Sequence, residues 1–140
     1  MSLHYFKTLI AVAEDCPMDH AVEPPGRGDA PTVAQLQHRM LRDHPHVYTQ
    51  EDVLFDVWLQ RQPSEVSAGQ PRDRLREAFF AKPQACLRAS PLPKQFGWGL
   101  LFDDSGRVAL CARDSSRYRH IVEGQEADVR ILRAMRNKRA

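Results

Sequence analysis

Six residues in two stretches have the types that ligand binding or catalysis would use. Asp15 and Cys16 stand just before Pro17, where an apolar run opens into a loop. Arg88, Ser90, Lys94 and Trp98 lie in a proline-stiffened segment that runs into Phe96-Gly97-Trp98-Gly99. An arginine offers a two-pronged donor to a carboxylate or phosphate, and a lysine offers a compact charge. A serine adds a hydroxyl, and a tryptophan between glycines gives an apolar wall that a ligand can approach closely. This combination predicts a small-molecule or anionic ligand along residues 86–99. The competing reading is structural: prolines stiffen the loop, Trp98 is core, and the glycines admit a helix.

Other constellations carry less. A nucleophilic cysteine needs a cation, an imidazole or a helix N-terminus to hold its thiolate. Glu14 and Asp15 oppose that at Cys16, although His20 stands nearby in sequence. A small enzyme using Asp15, Cys16 and Lys94 therefore requires the fold to gather them into one pocket. His38, Asp43, His44 and His46 are metal-ligand types. They lack an H-E-x-x-H spacing, and imidazoles after a helix end also suit the negative end of its dipole, so no metal is expected. Gly26-Arg27-Gly28 is too short for a phosphate loop, and Arg27-Gly28-Asp29 is a chance tripeptide. No residue pattern names a cofactor. Arg130, Arg133, Arg136, Lys138 and Arg139 crowd the last eleven positions. On a helix they would offer nucleic-acid binding as a third reading.

The bulk numbers place these residues in one ordinary domain. The chain has 140 residues, 42% hydrophobic and 27% charged, which suits a globular fold and not a disordered one. Its net charge of +2 balances 20 basic against 18 acidic residues, so no overall field selects a partner. No run approaches the roughly 20 apolar residues of a membrane span. Met1-Ser2-Leu3-His4-Tyr5-Phe6 lacks the features of a secretory signal, and a cytoplasmic protein is expected. Cys16, Cys86 and Cys111 are odd in number and scattered, as free thiols would be.

The elements that must position the candidate residues follow from local pattern. Residues 5–13 are apolar and β-branched and end before Pro17, which predicts a strand. Residues 17–31 hold four prolines and two glycines and form a loop. Thr32 with Gln35 has the form of a capping box, so a helix runs from there to Asp43. Residues 53–61 alternate and favour a strand, although Thr49-Gln50-Glu51-Asp52 looks like a helix start. A polar linker over 63–70, a helix over 71–82 and an extended loop over 84–95 follow.

Phe96 to Arg113 reads as a β-hairpin, with strands near 96–103 and 107–113. A three-residue loop, Asp104-Ser105-Gly106, pairs Phe102 with Val108, Leu100 with Leu110 and Trp98 with Ala112 on one face. The other face, with Gly97, Gly99, Leu101, Ala109 and Cys111, is flat and invites a helix or a ligand. Ser115 or Ser116 caps a helix to Glu123, and residues 127–138 have the apolar spacing of a final helix. The predicted fold is α+β: a small, mainly antiparallel sheet with about four helices on one face.

Several stretches resemble a bacterial domain family of unknown function. They are Glu14-Asp15-Cys16-Pro17, Asp43-His44-Pro45, Tyr48-Thr49 with Val53-Leu54-Phe55, Cys86 through Leu92, Phe96-Gly97-Trp98-Gly99, and the closing Ala134 to Ala140. The resemblance runs nearly end to end. It implies a free-standing domain with a short basic tail and brings no activity, cofactor or site residue.

Overall fold

The structure is a computed structural model and describes residues 5–137. Four strands form one mixed sheet in the order β3-β2-β1-β4. β1 (Thr8–Ala11) lies at the centre, antiparallel to β2 (Trp98–Phe102) and parallel to β4 (Arg130–Arg133). β3 (Val108–Ala112) completes the hairpin with β2. Its register pairs Trp98 with Ala112, Leu100 with Leu110 and Phe102 with Val108, as the three-residue loop requires. Gly106 takes the left-handed conformation in the turn, φ 79°.

The strands cover less than the apolar runs that announce them. Tyr5 to Lys7 precede β1, and Lys7 turns there with φ 45°. Val12 and Ala13 lie beyond the ladder yet are fully buried.

The two faces of the sheet bury different clusters, because successive side chains alternate across a strand. Ile10, Leu100, Phe102 and Val108 face a large core completed by α1 (Val33–Asp43) and α2 (Gln50–Gln60). Leu9, Ala11, Leu101 and Cys111 face a smaller cluster closed by Tyr118 and Ile121 of α6 (Ser116–Val122). Helices thus cover both faces, and the expectation of one covered face is corrected. A Cβ on Gly99 would lie 2.9 Å from the Tyr118 ring. The flat face of the hairpin is therefore a helix seat.

The strand expected over 53–61 is corrected: residues 50–60 are helical and Arg61 caps the helix end. The Thr49 hydroxyl accepts from Asp52 N and the Asp52 carboxylate accepts from Thr49 N, which closes a capping box at the start of α2. Val53 and Val57 turn into the main core, while Phe55 and Trp58 meet Phe79 of α4 (Arg72–Phe80). A segment covered on two sides loses its one-sided period, and alternation by itself then imitates a strand. Short α3 (Ser64–Gly69) occupies the stretch read as a linker. A 3-10 turn (Leu87–Ala89) and α5 (Pro91–Gln95) replace the extended loop.

The predicted C-terminal helix is absent from residues 127–137. Arg130 to Arg133 instead form the parallel edge strand β4. The nucleic-acid reading that rested on a basic helix loses that helix here. Lys138, Arg139 and Ala140, like Met1 to His4, lie outside the described residues. No helix among the described residues is long and apolar enough to cross a membrane.

Candidate ligand cleft

A cleft of about 390 Å³ opens where three segments distant in sequence converge. Pro17, Met18, Pro25 and Arg27 come from the long loop, and Thr32, Val33 and Ala34 from the start of α1. Pro91, Gln95 and Phe96 come from α5 and its end, and Asn137 from the chain after β4. The volume is in the range of small-molecule sites, and the lining has their character of apolar walls with a few polar groups. The Arg27 side chain makes no hydrogen bond or ion pair with another described residue. The first turn of α1 presents leading amides that no carbonyl of the helix can reach.

The loop that walls the cleft is pinned at several points to the hairpin. The Trp98 indole N–H donates to Val22 O at 2.8 Å, and Val22 N donates to Phe96 O at 3.0 Å. The Arg113 guanidinium donates to Met18 O at 2.7 Å, and Ala21 N donates to the Asp114 carboxylate at 3.0 Å. That amide holds the Asp114 carboxyl below its ordinary value. Gly97 has φ 76°, and a Cβ there would come within 2.3 Å of His20 O. Only glycine lets the loop pass this close.

The other walls are held as firmly. Ser90 is buried, caps α5 by accepting from Leu92 N at 3.1 Å, and donates to the Gln37 side chain at 2.5 Å. The Asp15 carboxylate accepts from Asn137 N at 2.7 Å. Arg88 grips Arg133 O through Nε at 3.0 Å and Nη2 at 2.8 Å, and Met135 N donates to Arg88 O at 2.9 Å. This clamp fixes the strand end from which the chain reaches Asn137.

None of the six residues singled out in the sequence lines the cleft, and four of them hold its walls. Trp98 tethers the long loop, Ser90 caps α5, Asp15 holds Asn137, and Arg88 clamps the end of β4. The Cys16 thiol is half-buried and donates to Met18 O at 3.7 Å. No His or Lys among the described residues bonds to it. Lys94 lies half-buried on α5 without a side-chain partner among the described residues. Pro91, Gln95 and Phe96 of the lining fall within the 86–99 segment that the sequence indicates, while Arg27 stands in the tripeptide read there as chance. A cation in a proline-rich loop five residues before a helix cap was the one local signal for it.

The candidate metal ligands serve separate roles. His38 is 6% exposed and packs on Trp98 with ring centroids 5.1 Å apart; burial holds its pKa below the ordinary 6.5. His44 meets Tyr48 edge to face, and His46 Nδ1 bonds Arg107 O at 3.0 Å. Among the described residues, no three His, Cys, Asp or Glu side chains converge. All three cysteines are free. Burial raises the Cys111 thiol, and burial with the Cys86 contact pushes Tyr5 up to about 12.

No curated protein and no solved structure matches the chain. Over residues 1–140 the sequence matches DUF6157, a family of unknown function, and the chain belongs to that family.

Proposed function

We propose that this protein binds a small molecule with an apolar body and an anionic head in the cleft beside α5. The observation that carries the reading is the Arg27 guanidinium, unpaired among the described residues, on the wall of a cleft whose other lining is mostly apolar. A cation that lines the same cleft as the first turn of α1 favours an anion, since helix N-termini stabilise negative charge. Proline-rich walls and the Phe96 ring suit an aliphatic or arylalkyl body. The cleft borders the 86–99 segment through Pro91, Gln95 and Phe96, so the reading keeps the neighbourhood that the sequence indicated. The enzyme reading gains no support from Cys16, whose thiol bonds only Met18 O among the described residues.

Hexanoate, hexanamide and inorganic phosphate test the reading by thermal shift and amide NMR. Hexanoate should raise Tm and move the Val33 and Ala34 amides, hexanamide should do so less, and phosphate least. Arg27→Gln should lose most of the hexanoate response with its unliganded Tm unchanged. A wild-type protein that ignores hexanoate, or an Arg27→Gln variant that responds like wild type, overturns it.

A further inference from the structure

A second cleft, of about 350 Å³, lies between α1, α2 and α4. Leu54, Val57, Trp58 and Phe79 line it, together with the buried Gln37 and the exposed Arg61. The Trp58 and Phe79 rings are tilted 42° with centroids 5.2 Å apart, so they offer an aromatic face and an edge.

Gln37 is 4% exposed, yet its amide is only half used. One end bonds the Ser90 hydroxyl at 2.5 Å, and the other has no partner among the described residues. Among those residues no fully enclosed side-chain nitrogen or oxygen lacks a partner. The free end of Gln37 must therefore reach open space, and the cleft that Gln37 lines supplies it. Turning the amide over exchanges its two ends without changing this, because either end bonds Ser90 and leaves the other facing the cleft. A polar end open to a partly apolar cleft offers a bound molecule a hydrogen bond in exchange for water.

Neighbouring polar groups do not supply that bond. Gln62 donates to Trp58 O at 3.1 Å and Gln84 donates to Phe79 O at 2.7 Å. Arg61 makes no side-chain bond with a described residue.

We infer that this second cleft binds a planar aromatic acid. Its ring would pack against Trp58 and Phe79, an acceptor would meet the Gln37 amide, and the carboxylate would pair with Arg61. The inference stands apart from the hexanoate reading, because its cleft is formed by other residues and the two share only Val33.

Naphthoate is the probe, followed by quenching of tryptophan emission and by amide NMR at Gln37 and Trp58. Naphthamide keeps the ring and loses the charge, and cyclohexanecarboxylate keeps the charge and loses the ring. Binding should weaken roughly tenfold with naphthamide or in Arg61→Gln, the scale of one lost charge-assisted bond. Cyclohexanecarboxylate should bind worse than naphthoate. Ala85→Trp, at an exposed position that also lines this cleft, should abolish binding while leaving the fold intact by circular dichroism. Arg27→Gln should leave naphthoate binding unchanged. No binding to the wild type overturns the inference, as does binding that survives Ala85→Trp or falls in Arg27→Gln. Hexanoate binding lost only in Arg27→Gln would support the first cleft whatever naphthoate does.

Discussion

The Trp98 indole N–H bonds the Val22 carbonyl at 2.8 Å, joining residues 76 apart in sequence. One side chain of the hairpin thereby sets the wall of a cleft that it does not line. Trp98→Phe keeps most of the packing and removes the donor. We expect a loss of about 1 kcal/mol in urea unfolding, the usual net value of such a bond. Amide exchange should quicken around Val22, and hexanoate binding should weaken without any change at Arg27. Unchanged exchange there would show that the other tethers suffice.

Gly99→Ala tests the seat of α6. The new Cβ would lie 2.9 Å from the Tyr118 ring and 3.1 Å from Cys111 O, and the backbone oxygen cannot move aside cheaply. The expected cost is roughly 1–3 kcal/mol, as for other overpacked sites. Gly69→Ala, with nothing within 4 Å, is the control and should fall within about half a kcal/mol of wild type. Equal urea midpoints for the two variants would refute the close contact.

Arg88→Met tests the clamp on β4. It removes both guanidinium bonds to Arg133 O and keeps much of the side-chain length. We expect a loss of about 1 kcal/mol and faster amide exchange along β4. Arg88→Lys should restore little, because a point charge cannot make the two-pronged contact. An edge strand released in this way is also a template for self-association, which light scattering would detect. Wild-type exchange along β4 in both variants would show that the strand holds without the clamp.

Acid should destabilise the protein through His38. Burial favours its neutral form, so its folded pKa lies below the ordinary 6.5, while the unfolded chain titrates near that value. As pH falls below about 6.5 the unfolded state takes up the proton first, and stability drops until the folded state can also bind it. His38→Leu should flatten the dependence of Tm on pH between neutrality and mild acid. At the alkaline end Tyr5 and Tyr118 act with the same logic and opposite charge. Both are raised by burial, so stability falls as pH climbs past 10, where the unfolded tyrosines ionise. A His38→Leu variant with the acid limb of wild type would assign that limb to other groups.

Much of the local structure was legible because neighbouring residues encode it. The Thr32 and Gln35 capping box, the Ser115 cap and the Gly106 turn each depend on groups within four residues of one another. The hairpin register followed from matching apolar faces across one short loop. The α+β class followed from the mixture of such signals. The second capping box, Thr49 with Asp52, was visible too, but alternating apolar residues outweighed it.

The sequence by itself determined the caps at Thr32 and Ser115 and the hairpin with its two unlike faces. Only the tertiary structure decided that 50–60 is helical, that Arg130 to Arg133 form a strand, and where the clefts open. Each of those outcomes rests on partners far along the chain: α2 is covered by α1 and α4, β4 completes the ladder of β1, and the first cleft gathers residues 17–34, 91–96 and 137. Caps and turns form between neighbours and leave a local pattern. Burial between distant segments removes the one-sided pattern that would have announced it.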